Sequence, residues 1–156
     1  MSRRARASGL AVLALVGVAV SGYLASYELG WIASVWDPLF GDGSERVLSS
    51  GVARALPVPD AVVGTAAYAV EAVLALLLAA RIGSAVAVSA VLAVVASAGA
   101  LVGIGLAISQ PVLVGTFCTL CLVSTLISIV LAAGAIGEAA EVGSWADRAR
   151  HEEVAR

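Results

Sequence analysis

Two residues in this 156-residue chain have the type and spacing for redox chemistry, Cys118 and Cys121 in "TFCTLCLV". With two residues between them they can close a disulfide within or at the start of a helix. The thiol nearer a helix N-terminus is favoured as thiolate by the helix dipole. The same spacing also fits two thiols packed as small hydrophobes. A metal site is the weakest reading, because zinc asks for four ligands and the single histidine, His151, lies in the C-terminal stretch.

The elements that must hold this pair follow from hydropathy. The chain is 61% hydrophobic and 13% charged, with a mean hydropathy of +1.03. A soluble domain has roughly half its residues apolar and about a quarter charged, so the composition predicts a membrane protein. Four apolar segments are each long enough to cross the ~30 Å hydrocarbon layer as a helix: residues 8–27, 60–80, 83–109 and 112–136. Backbone groups in lipid must be satisfied within the segment, which makes helices the expectation. The fold class predicted is an all-α integral-membrane four-helix bundle forming one domain over residues 1–156. A long extracytoplasmic loop joins its first two spans, and a polar tail follows from residue 137 to 156. "MSRRAR" before an apolar run has the shape of a signal peptide, but the run is longer than a signal core, so the first span is expected to stay. Net charge is −2 with no basic patch, which argues against nucleic-acid binding.

All nine basic residues are arginine. Arg3, Arg4, Arg6, Arg81, Arg148 and Arg150 fall on one side of a four-span chain, and Arg46 and Arg54 in the long loop fall on the other. Positive-inside counting puts both termini in the cytoplasm and Cys118 and Cys121 near the outer face of a multi-pass cell-membrane protein. Disulfide chemistry suits that compartment. Gln110 and Pro111 are expected to end the third span, with Cys118 in the first turns of the fourth. Gly99 and Gly103, four apart, read as a close helix-packing contact.

The loop between the first two spans contains "WDPLFGDGSE", with Asp-Pro and Asp-Gly turn signals and a Ser-Glu that can start a short helix. Trp31, Trp36 and Phe40 suit a lid lying at the membrane surface. "LPVPD" breaks the chain, and Asp60 is placed to cap the second span.

"ERVLSS" in the loop, "PVPDAVVGTAAY" entering the second span and "FCTLC" entering the fourth occur in an order, and on a four-span layout, that resembles the vitamin K epoxide reductase family. The resemblance covers about residues 20–130. It implies a membrane thiol oxidoreductase whose Cys118–Cys121 pair exchanges electrons with a quinone of menaquinone or ubiquinone type. By the same resemblance Cys121 faces the quinone and Cys118 exchanges with partners. Asp60 takes the place of a polar residue that hydrogen-bonds a quinone carbonyl, and Tyr68 that of an aromatic lining the pocket. Ser49 and Ser50 match paired serines beside the active-site cover.

The departures bear on mechanism. Most members carry two further cysteines in the loop, where this chain has Trp36 and Ser44, so an intramolecular relay is impossible. Thr125 stands where many members have tyrosine. Asp60 replaces a commoner amide, and its negative charge would oppose that of a reduced quinone unless the carboxyl is protonated or takes up a proton. Glu71, about 16 Å into the second span, is an intramembrane acid. It is either functional or hydrogen-bonded to a neighbouring serine or carbonyl. Without loop cysteines, the expected partner is a soluble, thioredoxin-like dithiol protein on the outer face that reduces Cys118–Cys121 directly. The alternative is a non-catalytic quinone-binding or assembly protein that has kept the fold.

Overall fold

The computed structural model describes residues 2–51 and 58–154; Arg54 of the topology count lies outside them. Every regular element in it is helical. The order is α1 (Arg3–Glu28), α2 (Gly43–Leu48), α3 (Asp60–Ala80), α4 (Ala85–Ser109), a π-helical turn (Gln110–Val114) and α5 (Thr119–Val154). α1, α3, α4 with its π turn, and α5 are long and apolar enough to cross a membrane. The chain is a multi-pass helical membrane protein.

Local chemistry sets most helix ends. The Ser2 hydroxyl accepts from the Ala5 N–H at 3.2 Å and starts α1. α3 ends on Arg81 in the left-handed conformation (φ 59°), and Gly83 (φ 81°) completes the tight turn before Ser84 caps α4. Such positive φ values suit glycine and cost other residues some strain.

Two boundaries differ from the sequence expectation. The fourth span does not begin near residue 112, because Gln110–Val114 extends α4 as a wider turn. Pro111 has no N–H to give to an i−4 carbonyl, and the Gly115 N–H instead closes on the Gln110 carbonyl at 3.1 Å. Gly115 (φ 74°) then reverses the chain, and α5 starts only at Thr119. At its other end α5 runs unbroken past residue 136 to Val154, so the polar stretch continues the last helix. Glu138 there is 2% exposed. It pairs with Arg3 at 3.0 Å and Arg6 at 3.7 Å, while Glu141 pairs with Arg6.

α1 packs chiefly against α3, and α4 chiefly against α5. Small residues let these backbones approach closely: Ala11, Ala14, Ala75, Ala96 and Ala135 are all buried in one core. Gly17 is required by that closeness, since a Cβ there would lie 2.5 Å from the Tyr68 ring. A second, smaller cluster at the loop end joins Leu24 and Ala25 of α1, Val47 and Leu48 of α2, Ala61 of α3, and Cys118. That cluster surrounds the candidate site.

Candidate active site

Cys118 and Cys121 form a disulfide with their Cα atoms 5.2 Å apart. Cys118 precedes the first helical residue of α5, and its carbonyl accepts the Leu122 N–H. Its sulfur accepts the Cys121 N–H at 3.1 Å, so the side chain occupies the place of an N-cap and meets the positive end of the helix. The Cys118 N–H is held by the Gln110 side-chain carbonyl at 3.0 Å. This bond ties the π turn to the start of α5. Cys118 is fully buried, whereas Cys121 is partly exposed and packs at the edge of the small apolar cluster.

What buries Cys118 is the loop between α1 and α3. Asp37 anchors it. One carboxylate oxygen accepts from the Leu39 and Phe40 N–H groups and from the Thr119 hydroxyl. The other accepts from the Ser44 N–H at 3.1 Å, the Ser44 hydroxyl at 2.7 Å and the Thr119 N–H at 3.2 Å. Burial pushes the Asp37 carboxyl up, but hydrogen bonds from Thr119, Phe40, Ser44 and Leu39 outweigh it and hold the group far below the usual carboxylate range. Asp37 is therefore an anion at the N-terminus of α5. Gly43 packs on the same segment so tightly that a Cβ would lie 2.2 Å from the Phe117 carbonyl oxygen. The Phe40 and Phe117 rings meet at 5.5 Å.

Ser44 is the loop residue that reaches the disulfide. It is fully buried, and its hydroxyl lies 3.2 Å from the Cys118 sulfur. Trp36, the other position read as a missing cysteine, is 71% exposed, and its backbone N–H donates to the Tyr23 hydroxyl.

The remaining sequence-predicted residues are spread over three places. Asp60 is the first residue of α3 and does not cap it; Pro59 holds the cap position and makes no side-chain bond. The α3 start is served instead by Glu28, whose carboxylate accepts the Ala61 N–H at 3.1 Å. The Asp60 Oδ1 is buried with no hydrogen-bond partner among the described residues. Its neighbour Ala61 belongs to the cysteine cluster, which puts Asp60 at that cluster's rim. A cleft of about 420 Å³ opens beside it, lined by Tyr27, Glu28, Leu48 and Pro59 among others; neither cysteine lines it.

Tyr68 lies in the main bundle core, not in the cysteine cluster. Its hydroxyl donates to the Ser124 carbonyl at 2.6 Å, about one turn along α5 from Cys121, and sits 2.7 Å from the Ser128 hydroxyl one turn further on. Ser49 is exposed at the end of α2, its hydroxyl bonded to the Glu45 carbonyl, and Ser50 follows it, half-buried. Thr125 donates to the Cys121 carbonyl at 2.8 Å and lies 3.2 Å from the Gly103 carbonyl. Glu71 is buried in α3 near Gly99, its Oε2 without a partner among the described residues.

Asp37 and Thr119 are site residues that sequence reading missed. Asp37 was legible only as part of an Asp-Pro turn. Its partner is 82 positions away, and no local pattern reports such a pairing.

A disulfide set at a helix start, inside an apolar cluster of a multi-pass helical bundle and under a docked loop, defines a membrane thiol-redox protein. The model of the vitamin K epoxide reductase family matches residues 9–136, and the chain belongs to that family. Membership brings membrane oxidoreductase activity and, in general terms, chemistry between thiols and quinones. No curated protein and no solved structure matches the chain.

Proposed function

We propose that this protein is a quinone-linked thiol–disulfide oxidoreductase that supports disulfide formation in extracytoplasmic proteins. The observation that carries the proposal is the asymmetry of the pair: Cys118 sealed under the loop, Cys121 partly open within the apolar cluster. A soluble dithiol protein of thioredoxin type delivers two electrons. Its thiolate attacks the Cys118–Cys121 bond, its second thiol resolves the mixed disulfide, and it leaves oxidised. A quinone of the menaquinone or ubiquinone type, bound beside Cys121, supplies the oxidising power that re-forms the disulfide.

The residues present fit such a ligand. The Asp60 Oδ1 is buried and unpartnered among the described residues, and in its protonated form the carboxyl can donate to a quinone carbonyl. Tyr68 fixes the segment of α5 one turn beyond Cys121, which holds that cysteine in register. Arginine placement orients the site outward, both termini being cytoplasmic.

A non-catalytic quinone-binding or assembly role draws on one observation, that Ser44 rather than a thiol fills the loop position against Cys118. The two readings separate in a trapping experiment. With Cys121→Ser, Cys118 joined to its partner has no resolving thiol within this chain. Non-reducing gels of membranes should then show a mixed disulfide with a soluble dithiol protein, lost on reduction. A Cys118 thiol that stays free under the same conditions favours the non-catalytic role.

A further inference from the structure

We propose that Ser44 is a catalytic residue of this site, a hydroxyl that serves the Cys118 sulfur in each redox state, and that Asp37 is the positioning residue that holds it there. This rests on the thiol oxidoreductase reading above. On that reading Ser44 is not a scar of a lost loop thiol.

Ser44 has one hydroxyl proton and two acceptors, the Asp37 carboxylate at 2.7 Å and the Cys118 sulfur at 3.2 Å. In the disulfide the sulfur is a weak acceptor, and the proton belongs to Asp37. When a dithiol attacks Cys118 and its second thiol resolves the mixed disulfide, Cys118 leaves with the bonding electron pair as a thiolate, and its sulfur becomes a strong acceptor. The Ser44 proton can then turn to it. Asp37 loses little, because it keeps the Ser44 N–H, both Thr119 donors and the two loop N–H groups. When Cys118 takes up a proton, the S–H can donate to the Ser44 oxygen while the hydroxyl swings back to Asp37.

The hydroxyl is needed because of the charges around Cys118. Asp37 is an anion one hydroxyl away and opposes a thiolate. The cation nearest in sequence to Ser44, Arg46, is exposed and bonded to the Val114 carbonyl. Glu45 is engaged by the Val35 N–H. The first turn of α5 carries no acidic residue and Gln110 beside Cys118 is neutral, so neither adds to nor offsets the charge of Asp37. Two donors therefore stabilise the Cys118 thiolate, the Cys121 N–H and the Ser44 hydroxyl.

The test uses the full-length protein in lipid nanodiscs, equilibrated at neutral pH with mixtures of reduced and oxidised dithiothreitol, then acid-quenched and labelled with maleimide. Dithiothreitol is oxidised to its cyclic disulfide, Cys121 takes a proton, and Cys118 is released as thiolate. Ser44→Ala should lower the equilibrium constant for reduction by roughly 10- to 100-fold, a shift of about 30 to 60 mV for this two-electron couple. A merely structural role would lower thermal stability and leave the couple in place. An unchanged constant in folded Ser44→Ala overturns the proposal. Should Ser44→Ala not fold, the near-isosteric Ser44→Cys in a Cys121→Ser background reads the same geometry. With oxidised glutathione as the two-electron oxidant, it should form a disulfide between position 44 and Cys118, seen by mass spectrometry, and the absence of that link overturns the proposal. Neither measurement involves a quinone, so failure here is separate from failure of the quinone reading.

Discussion

The loop around Asp37 and the start of α3 at Asp60 each bring an aspartate to the disulfide end of the bundle, and the two are treated in opposite ways. Asp37 accepts six donors from three segments, and both of its oxygens are satisfied. Asp60 stands at a helix start whose N–H is already taken by Glu28, and it keeps a buried oxygen with no donor. A buried polar atom without a partner costs about 1–3 kcal/mol. Asp37 is a clasp that closes the loop on Cys118, whereas Asp60 keeps an oxygen that no described residue engages.

The largest effect should come from removing the clasp. Asp37→Ala strands donors on the loop and on Thr119, and should destabilise the folded protein by about 3 kcal/mol, read from thermal unfolding in detergent. Dithiothreitol should also reduce its disulfide faster, because Cys118 is no longer sealed. The contribution of Asp37 is present above the carboxyl's unfolded pKa of about 3.9. Its folded pKa is depressed, so this contribution fades only as pH falls toward that lowered value. An Asp37→Ala protein as stable as wild type would remove the distinction between the two aspartates from one side.

Asp60→Ala sharpens it from the other side with a smaller effect. Stability should stay within about 1 kcal/mol of wild type, since no protein bond to its Oδ1 is lost. Reoxidation of the reduced protein by quinone should slow roughly tenfold, the worth of one hydrogen bond. Unaltered reoxidation would reduce Asp60 to a favourable charge in the first turn of α3.

Four apolar spans were legible from composition, because ~20 consecutive apolar residues have few other uses. The break before α5 was not. Residues 112–136 read as one apolar run, and hydropathy cannot report that Pro111 is absorbed in a π turn or that Gly115 reverses the chain. Cys118 and Cys121 stood out because only these two residues could bond covalently. Asp60 was visible as a carboxylate at a helix start, where capping is the usual inference. That Glu28 supplies the bond instead depends on α1 ending beside α3, which is a tertiary fact. The role of Ser44 was hidden for the same reason as that of Asp37: Cys118 is 74 positions away.

Electron transfer from the Cys118–Cys121 pair to a quinone can be read directly by titration. Reduced wild-type protein, freed of reductant and held without oxygen in nanodiscs, is titrated with a water-dispersible quinone while thiols are counted by maleimide labelling. Both thiols should disappear together, one quinol forming per Cys118–Cys121 disulfide, and Cys121→Ser should keep its thiol throughout. Wild-type thiols that remain reduced across the titration would contradict that transfer and leave the non-catalytic role standing.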